Sequence, residues 1–414
     1  MLENDFLCTN IEKDIRSEVK EFVNTIDPEL IRKMDKNEID YPFEFIREAG
    51  RRNLLGLRFS EKYGGRALPW TAECIALEEI GVLGMGLGCS YAMPSIVGEA
   101  LSKFGKEWQR EEFLKPVIKG EKLSAEGLTE PRGGSDFFGT TTTAEKKGNK
   151  WVLNGMKRFI AGGKVADFYL IYARTDKNAP GHKALSLFIV ERDMGVEVEE
   201  LFNLLGFKGM GTARIVFKNL EVPDENMVGN LNDGGKIFNH MMVPERLTSA
   251  AGAIGTARVA LELAMKYSDR RKAFGSKIRE FQGVNFKVAN CLSKLDAARG
   301  LVYMAAKAAD ASEKDPMVDP RRLVSEAKQF ATDTGWEIVN DAMQIIGGIG
   351  YTQVYPIERL LRDMRLAPIW TGSNEIMKML VQHEAYKMLG LPIKDRDIEK
   401  DALDWYKDSE KVFE

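Results

Sequence analysis

Residues 367–377, APIWTGSNEIM, hold a Trp370-Thr371-Gly372-Ser373 turn and a single carboxylate, Glu375, at the start of an amphipathic helix. Ser373 suits an N-cap, so the turn reads either as helix punctuation or as the floor of a site. A second stretch, GLTEPRGGSD (127–136), offers Gly133, Gly134 and Ser135, whose backbone N–H groups can approach an anion or a polar ring closely. It also reads as a tight loop between helix and strand. No G-x-G-x-x-G follows a strand here, so nothing points to a Rossmann unit. A third, SDRRKAFGSKIREFQ (268–282), gathers Arg270, Arg271 and Lys272 at a helix end, where cations complement the dipole. The same arginine chemistry would let Arg271 grip a diphosphate, with Phe274 beside a planar ring. In QIIGGIGYTQVYP (344–356), three glycines follow Gln344 within four residues, Gly347, Gly348 and Gly350, which is more than a helix C-cap requires. Finally, Glu245-Arg246 follows Pro244 in VPERLTSAAGAIG, which by itself reads as a first-turn acid complementing a helix dipole.

The elements around these stretches fall into zones of different hydrophobic period. Residues 1–123 carry a helical pattern, with DIRSEVKEFVNTI and the more apolar AECIALEEIGVLGMGLGCSYAMPSIVGEALSKFG. Residues 124–234 turn β-branched and aromatic, and GTTTTAEKKGNKWVLNG reads as two strands around a Gly148-Asn149 turn. Residues 235–393 return to long helical runs, one with an Ala and Gly face suited to close packing, broken by the prolines of EKDPMVDPRR. Residues 394–414 are charged and read as a peripheral extension. The fold class is mainly α with a central antiparallel β-domain, and the domain junctions are where a ligand would bind.

Composition excludes several classes. The 414 residues carry a net charge of −3, which gives no nucleic-acid footprint. Cys8, Cys74, Cys89 and Cys291 are far apart, against a disulfide framework or structural zinc, and His182, His240 and His383 are scattered, so no metal is expected. With no basic-then-apolar leader and no run of eighteen apolar residues, the reading is a cytoplasmic protein without a membrane span.

LTEPRGGSD, NGMKRFIAGG, GFKGMGTARIVFKNLEVPDENMVG, RRKAFG…FQ, QIIGGIGY…YP and GSNEIM occur in the order found in the acyl-CoA dehydrogenase flavoproteins, and residues 12–390 resemble that family. The resemblance implies an N-terminal helical domain, a middle β-domain and a C-terminal four-helix bundle. It implies noncovalent FAD between the last two, an acyl-CoA substrate, electron-transfer flavoprotein as acceptor, and a homodimer or homotetramer. By the same resemblance Glu126, Leu128, Thr129, Gly134 and Ser135 line the flavin and its pyrophosphate, and Phe159, Ile160 and Ala161 flank the ring. Arg271, Phe274, Gln282, Gln344, Gly347 and Gly348 reach a neighbour's FAD, while Ser373 and Glu375 touch their own subunit's. Ser135 and Arg246 hold the acyl-CoA, His182 lies near its adenine, and Tyr91, Trp370 and Gly372 border the acyl end.

The chain departs from the family at four positions. Arg132 replaces a glycine, Glu126 an aromatic or apolar residue, and Ala161 a hydroxyl that bonds the flavin. Thr371 replaces the catalytic glutamate of most members, keeping only its backbone N–H as an oxyanion donor. Isovaleryl-CoA and long-chain acyl-CoA dehydrogenases carry the base as a Glu before an Arg on the first long bundle helix, the position of Glu245. The expected reaction is α,β-desaturation of a branched, long, cyclic or substituted acyl-CoA. An oxidase or desulfinase of the same fold, and an inactive FAD-containing binding protein, are the alternatives.

Overall fold

A computed structural model describes residue 2 and residues 4–389 of the chain, so the charged stretch 394–414 lies outside the described residues. The N-terminal part is helical: α1 (Asn10–Asn24), α2 (Pro28–Asp35), α3 (Phe43–Arg51), α4 (Trp70–Ile80) and α5 (Met85–Phe104), then α6 (Glu107–Gln109), a π turn and α7 (Lys115–Ile118). A capping box opens α1, with Thr9 accepting from the Glu12 amide at 3.3 Å and Glu12 accepting from the Thr9 amide at 2.7 Å. Every residue of α4 is buried, which explains its lack of a polar face.

The middle part is one sheet of eight strands: β1 (Ser124–Gly127), β2 (Thr143–Lys147), β3 (Lys150–Ile160), β4 (Phe168–Arg174), β5 (Leu185–Glu191), β6 (Glu197–Leu201), β7 (Ala213–Pro223) and β8 (Met227–Val228). The β2–β3 hairpin turns at Gly148-Asn149, as its sequence predicts, with Gly148 at φ 60°. Most pairings are antiparallel, but β1 and β2 each run parallel to β4. Those two strands reach the sheet from the helical domain and a loop rather than through tight turns. Alternate residues of β4 split between two cores: Phe168, Leu170 and Tyr172 face the helices, and Tyr169, Ile171 and Ala173 the opposite side.

The C-terminal part contains α8 (Gly234–Arg270), the short β9 (Lys272–Ala273) and β10 (Ser276–Lys277), α9 (Gln282–Ser312), α10 (Arg321–Ile346), α11 (Ile357–Met364) and α12 (Asn374–Met388). The small-residue face of α8 does what its composition predicts. A Cβ on Gly255 would sit 2.1 Å from the Glu78 carbonyl oxygen, so α4 and α8 approach closer than an alanine allows. A buried ionic network also ties the two helical parts together. Arg258 donates to Glu79 at 2.6 Å, Arg299 to Glu78 at 2.9 Å, and Arg16 to the Tyr303 hydroxyl at 2.7 Å. This fixes α1 and α4 against the bundle.

Among the described residues, no helix is long and apolar enough to cross a membrane, and no group of three or more His, Cys, Asp or Glu could hold a metal ion.

Candidate active site

The loop between α11 and α12 is strained and pinned. Thr371 has φ 51°, rare for a β-branched residue, and Gly372 follows at φ 85°. Lys328 of α10 holds it from below, donating to the Gly372 carbonyl at 2.8 Å and to Asn374 Oδ1 at 2.9 Å. Burial, reinforced by the nearby Arg246 cation, pulls the Lys328 ammonium down to about 7. Asn374 in turn donates to Thr332 and Asp333 of α10. Ser373 is the N-cap of α12, accepting from the Ile376 amide. The amide of Thr371 has no acceptor among the described residues, which leaves it free to serve a ligand. Glu375 is exposed, and its carboxyl lies below the usual range because its own amide and Ser373 donate to it. The loop itself has no carboxylate, and the nearest one along the chain, Glu375 in the first turn of α12, turns toward solvent.

Glu245 lies on the inner side. Pro244 does not start a helix, because α8 begins at Gly234 and Pro244 is internal. Glu245 thus sits about three turns in, too far for the helix-dipole explanation that the sequence alone favours. The Ser249 hydroxyl bonds the Glu245 carbonyl at 2.7 Å and lies 3.1 Å from the Thr371 hydroxyl, so this turn of α8 abuts the strained loop. Burial raises the Glu245 carboxyl, offset in part by a hydrogen bond with Glu126 and by Arg246. Arg246 points along a different face, as the 100° step between helix neighbours dictates. It donates to Ser325 at 3.2 Å, and its Nε is buried with no partner. Burial, with Arg321 nearby, lowers it to about 10. Arg246 also borders a cavity of about 290 Å3 with Trp70, Glu99, His240 and Arg321.

The sheet supplies the opposite wall. Beneath the GLTEPRGGSD loop, Glu130 accepts from the Thr141 amide at 2.7 Å, its hydroxyl at 2.6 Å, the Thr142 amide at 3.0 Å and Lys157 at 3.0 Å. Lys157 also donates to the Leu128 carbonyl at 3.3 Å, and the Arg158 amide to the Thr129 carbonyl at 2.8 Å. Burial alone would raise Glu130, but Lys157 and the threonines hold it at about 2. Complete burial pulls Lys157 below its usual range, and Glu130 offsets this only in part. The loop above is open: Gly134 and Ser135 are exposed, and a Cβ on Gly133 would meet nothing within 4 Å. At the end of β3, beyond a bulge, Phe159 has φ 59° and is 49% exposed, with Ile160 buried and Ala161 half-buried behind it. The next residues bond the β6–β7 loop through Gly162 to Met210, and Phe207 of that loop packs on Trp370 at 4.7 Å between ring centroids. Trp370 Nε1 and Arg158 Nε are both buried without an acceptor. An exposed aromatic, a glycine cradle and unpaired donors on both walls suit a large, planar, anionic cofactor.

The structure brings Glu126, Leu128, Thr129, the Phe159–Ala161 segment, Glu245, Arg246 and the Trp370–Ser373 loop to one junction. Arg271 ends α8 about 39 Å away along the helix axis. There Tyr267 packs on Tyr355 at 5.7 Å, joining the end of α8 to the loop after α10. Phe274 is 97% exposed, and Gln282, Gln344, Gly347 and Gly348 are exposed at the same end of the bundle. His182 is exposed, on a turn whose carbonyl lies against Gly235 at the start of α8. Tyr91 is buried, with its hydroxyl on the Leu54 carbonyl at 2.6 Å, inside the N-terminal helical core. Sequence reasoning missed Glu130, Lys157, Lys328 and Tyr172. Glu130 and Lys157 stand inside the stretches GLTEPRGGSD and NGMKRFIAGG, but neither stretch shows that the two side chains pair.

Comparison with known proteins assigns three successive segments of the chain to one family. Residues 9–121 match the acyl-CoA dehydrogenase N-terminal domain, 125–220 the middle domain and 232–386 the C-terminal domain. An acyl-CoA dehydrogenase of Bacillus subtilis (strain 168) is 37% identical over 84% of this chain and 90% of its own length. A 3-(aryl)acrylate reductase of Clostridium sporogenes is 35% identical over 90% of this chain and 98% of its own. The structure of butyryl-CoA dehydrogenase from Megasphaera elsdenii superposes with a TM-score of 0.86 at 33% identity, covering 92% of this chain and 99% of that one. The chain belongs to the acyl-CoA dehydrogenase family, the FAD-dependent flavoprotein oxidoreductases that act on acyl-CoA.

Proposed function

We propose that the protein desaturates an acyl-CoA thioester between its α- and β-carbons, with Glu245 as the base, and passes the electrons to electron-transfer flavoprotein. One observation carries the assignment of the base: Glu245 is buried on α8 against the Thr371 loop, while that loop holds no carboxylate and Glu375, just beyond it on α12, faces solvent. A base must lie within hydrogen-bond reach of the proton it removes, and burial gives Glu245 the raised proton affinity such a step uses. The free Thr371 amide is suited to polarise the thioester carbonyl, which makes the α-proton acidic enough to remove. Buried Arg246 beside the cavity suits the polar part of the thioester chain. FAD, when bound, supplies the acceptor for the β-hydrogen and its electron pair. Leu128, Thr129, Gly134, Ser135 and the Phe159–Ala161 segment would hold it on the sheet side, with the Trp370–Ser373 loop opposite.

Arg271, Phe274 and Gln282, with Gln344, Gly347 and Gly348, form an exposed group remote from Glu245, which supports their assignment to the FAD of a neighbouring subunit in a dimer or tetramer. Arg271→Ala should then release FAD and lower thermal stability together, because ligand binding is linked to folding. Absorbance and light scattering check this, and a colourless, well-folded monomeric wild type would contradict it.

The acyl group is expected to be branched, long, cyclic or substituted, and the aryl-named relative adds aryl groups to that range. An anaerobic panel of acyl-CoA thioesters followed by flavin bleaching tests the function. Highest turnover with butyryl-CoA would overturn the acyl-group expectation, and no bleaching by any thioester would overturn the function.

A further inference from the structure

The sheet face turned toward α8 carries an acid with no donor to pair with. Glu126 is 9% exposed, and neither carboxyl oxygen receives a hydrogen bond from any N–H or O–H among the described residues. Its parallel partner on β4 is Leu170, and Tyr172, two residues on, shares that face with its hydroxyl likewise buried and unpartnered. What the Glu126 carboxyl does face is the carboxyl of Glu245. Two carboxylates in contact cannot both ionise in a buried site, so a hydrogen bond between them requires one proton.

The surrounding charges decide where that proton rests. Arg246 stands beside Glu245 and favours its ionised form, whereas no cation among the described residues offsets the burial of Glu126. The other titratable groups facing the pair are Cys89 from α5 and Tyr172 from β4. Burial, with Glu245 beside it, pushes the Cys89 thiol up to about 12, and burial with both carboxyls keeps Tyr172 protonated. Neither is a competing anion at neutral pH.

We propose that Glu126 carries the shared proton and donates it in a hydrogen bond to the Glu245 carboxylate, as a positioning residue that orients the base and keeps it ionised. This rests on the reading of Glu245 as base. When Glu245 accepts the α-proton, the pair passes from one proton and one negative charge to two protons and none. The extra proton returns to solvent after the product leaves.

The test uses the FAD-loaded protein with Glu126→Leu, which removes the donor, and Glu126→Gln, whose amide keeps one. The pH dependence of anaerobic flavin reduction should show the acid limb of Glu126→Leu displaced upward by about one unit, the scale of one charge-assisted hydrogen bond. The rate on that limb should fall about tenfold, and Glu126→Gln should recover most of the shift. An infrared titration without substrate supplies a second readout. Wild type should show a buried protonated carboxyl at neutral pH that disappears in both variants, and this decides the matter alone if the Leu variant loses its cofactor. An unchanged acid limb in a folded Glu126→Leu, or no such band in wild type, overturns the proposal while leaving Glu245 as base. Flavin reduction abolished in Glu126→Gln yet retained in Glu245→Gln overturns the base assignment itself.

Discussion

Glu245→Gln is expected to bind FAD and acyl-CoA yet reduce its flavin about 10²- to 10⁴-fold more slowly, the range that one positioned base supplies. Glutamine keeps the size of the side chain and its place on α8 between Glu126 and the Thr371 loop, so packing is largely preserved. What disappears is the carboxylate that α8 buries against the Thr371 loop. At the middle of that range the loss corresponds to about 4 kcal/mol of barrier. The carboxyl must be ionised to act, so in wild type the rate should fall as pH drops through the raised value of Glu245, whereas the residual rate of the variant should be flat there. Stopped-flow bleaching across pH checks both statements. Thr371→Glu, which restores a carboxylate on the loop, should rescue the Gln variant if loop and helix reach the same proton. On a wild-type background it adds a third acid beside Glu126 and Glu245.

Lys157→Met is expected to destabilise the protein by about 3–5 kcal/mol, the scale for breaking a buried pair from one side, and to weaken FAD retention. The Lys157 side chain is fully buried and that of Glu130 is 4% exposed. Without the ammonium, Glu130 keeps its threonine donors but loses its counter-charge, and the Leu128 carbonyl loses its Lys157 donor. The loop they support runs straight into the glycine cradle. In wild type the Glu130 contribution has a defined pH window. Its folded value, about 2, lies below its ordinary 4.5, so the stabilisation is complete above about 4.5 and is lost as pH falls toward 2. Denaturant melts of wild type and variant at several pH values would show this, and equal midpoints at neutral pH would contradict it.

Much of the architecture could be read from periodicity. The switch from helical to alternating pattern near Ser124, the Gly148-Asn149 hairpin and the proline break before α10 are all local signals, and the structure carries each of them. Pro244 misled because proline usually marks a helix start. Here α8 continues through it, helped by burial on several sides of the helix, and no local rule foretells that. The strained loop was visible as Thr-Gly-Ser-Asn before a helix, but its support was not. Lys328 looks like a surface lysine of a helix, and only tertiary contact turns it under the Gly372 carbonyl. The Glu126–Glu245 contact joins residues more than a hundred positions apart on a strand and a helix. The sequence marked Glu126 only as an odd residue in a flavin-lining motif, with no sign of what it would meet.

The base assignment is tested most directly by α-hydrogen exchange, because that reads proton abstraction apart from electron transfer. A CoA thioester with an exchangeable α-hydrogen and no β-hydrogen to lose would be incubated with the FAD-loaded protein in deuterated buffer and followed by mass spectrometry. Wild type and Thr371→Ala, which keeps the backbone N–H, should both exchange, and Glu245→Gln should not. Exchange at the wild-type rate in Glu245→Gln would contradict the account.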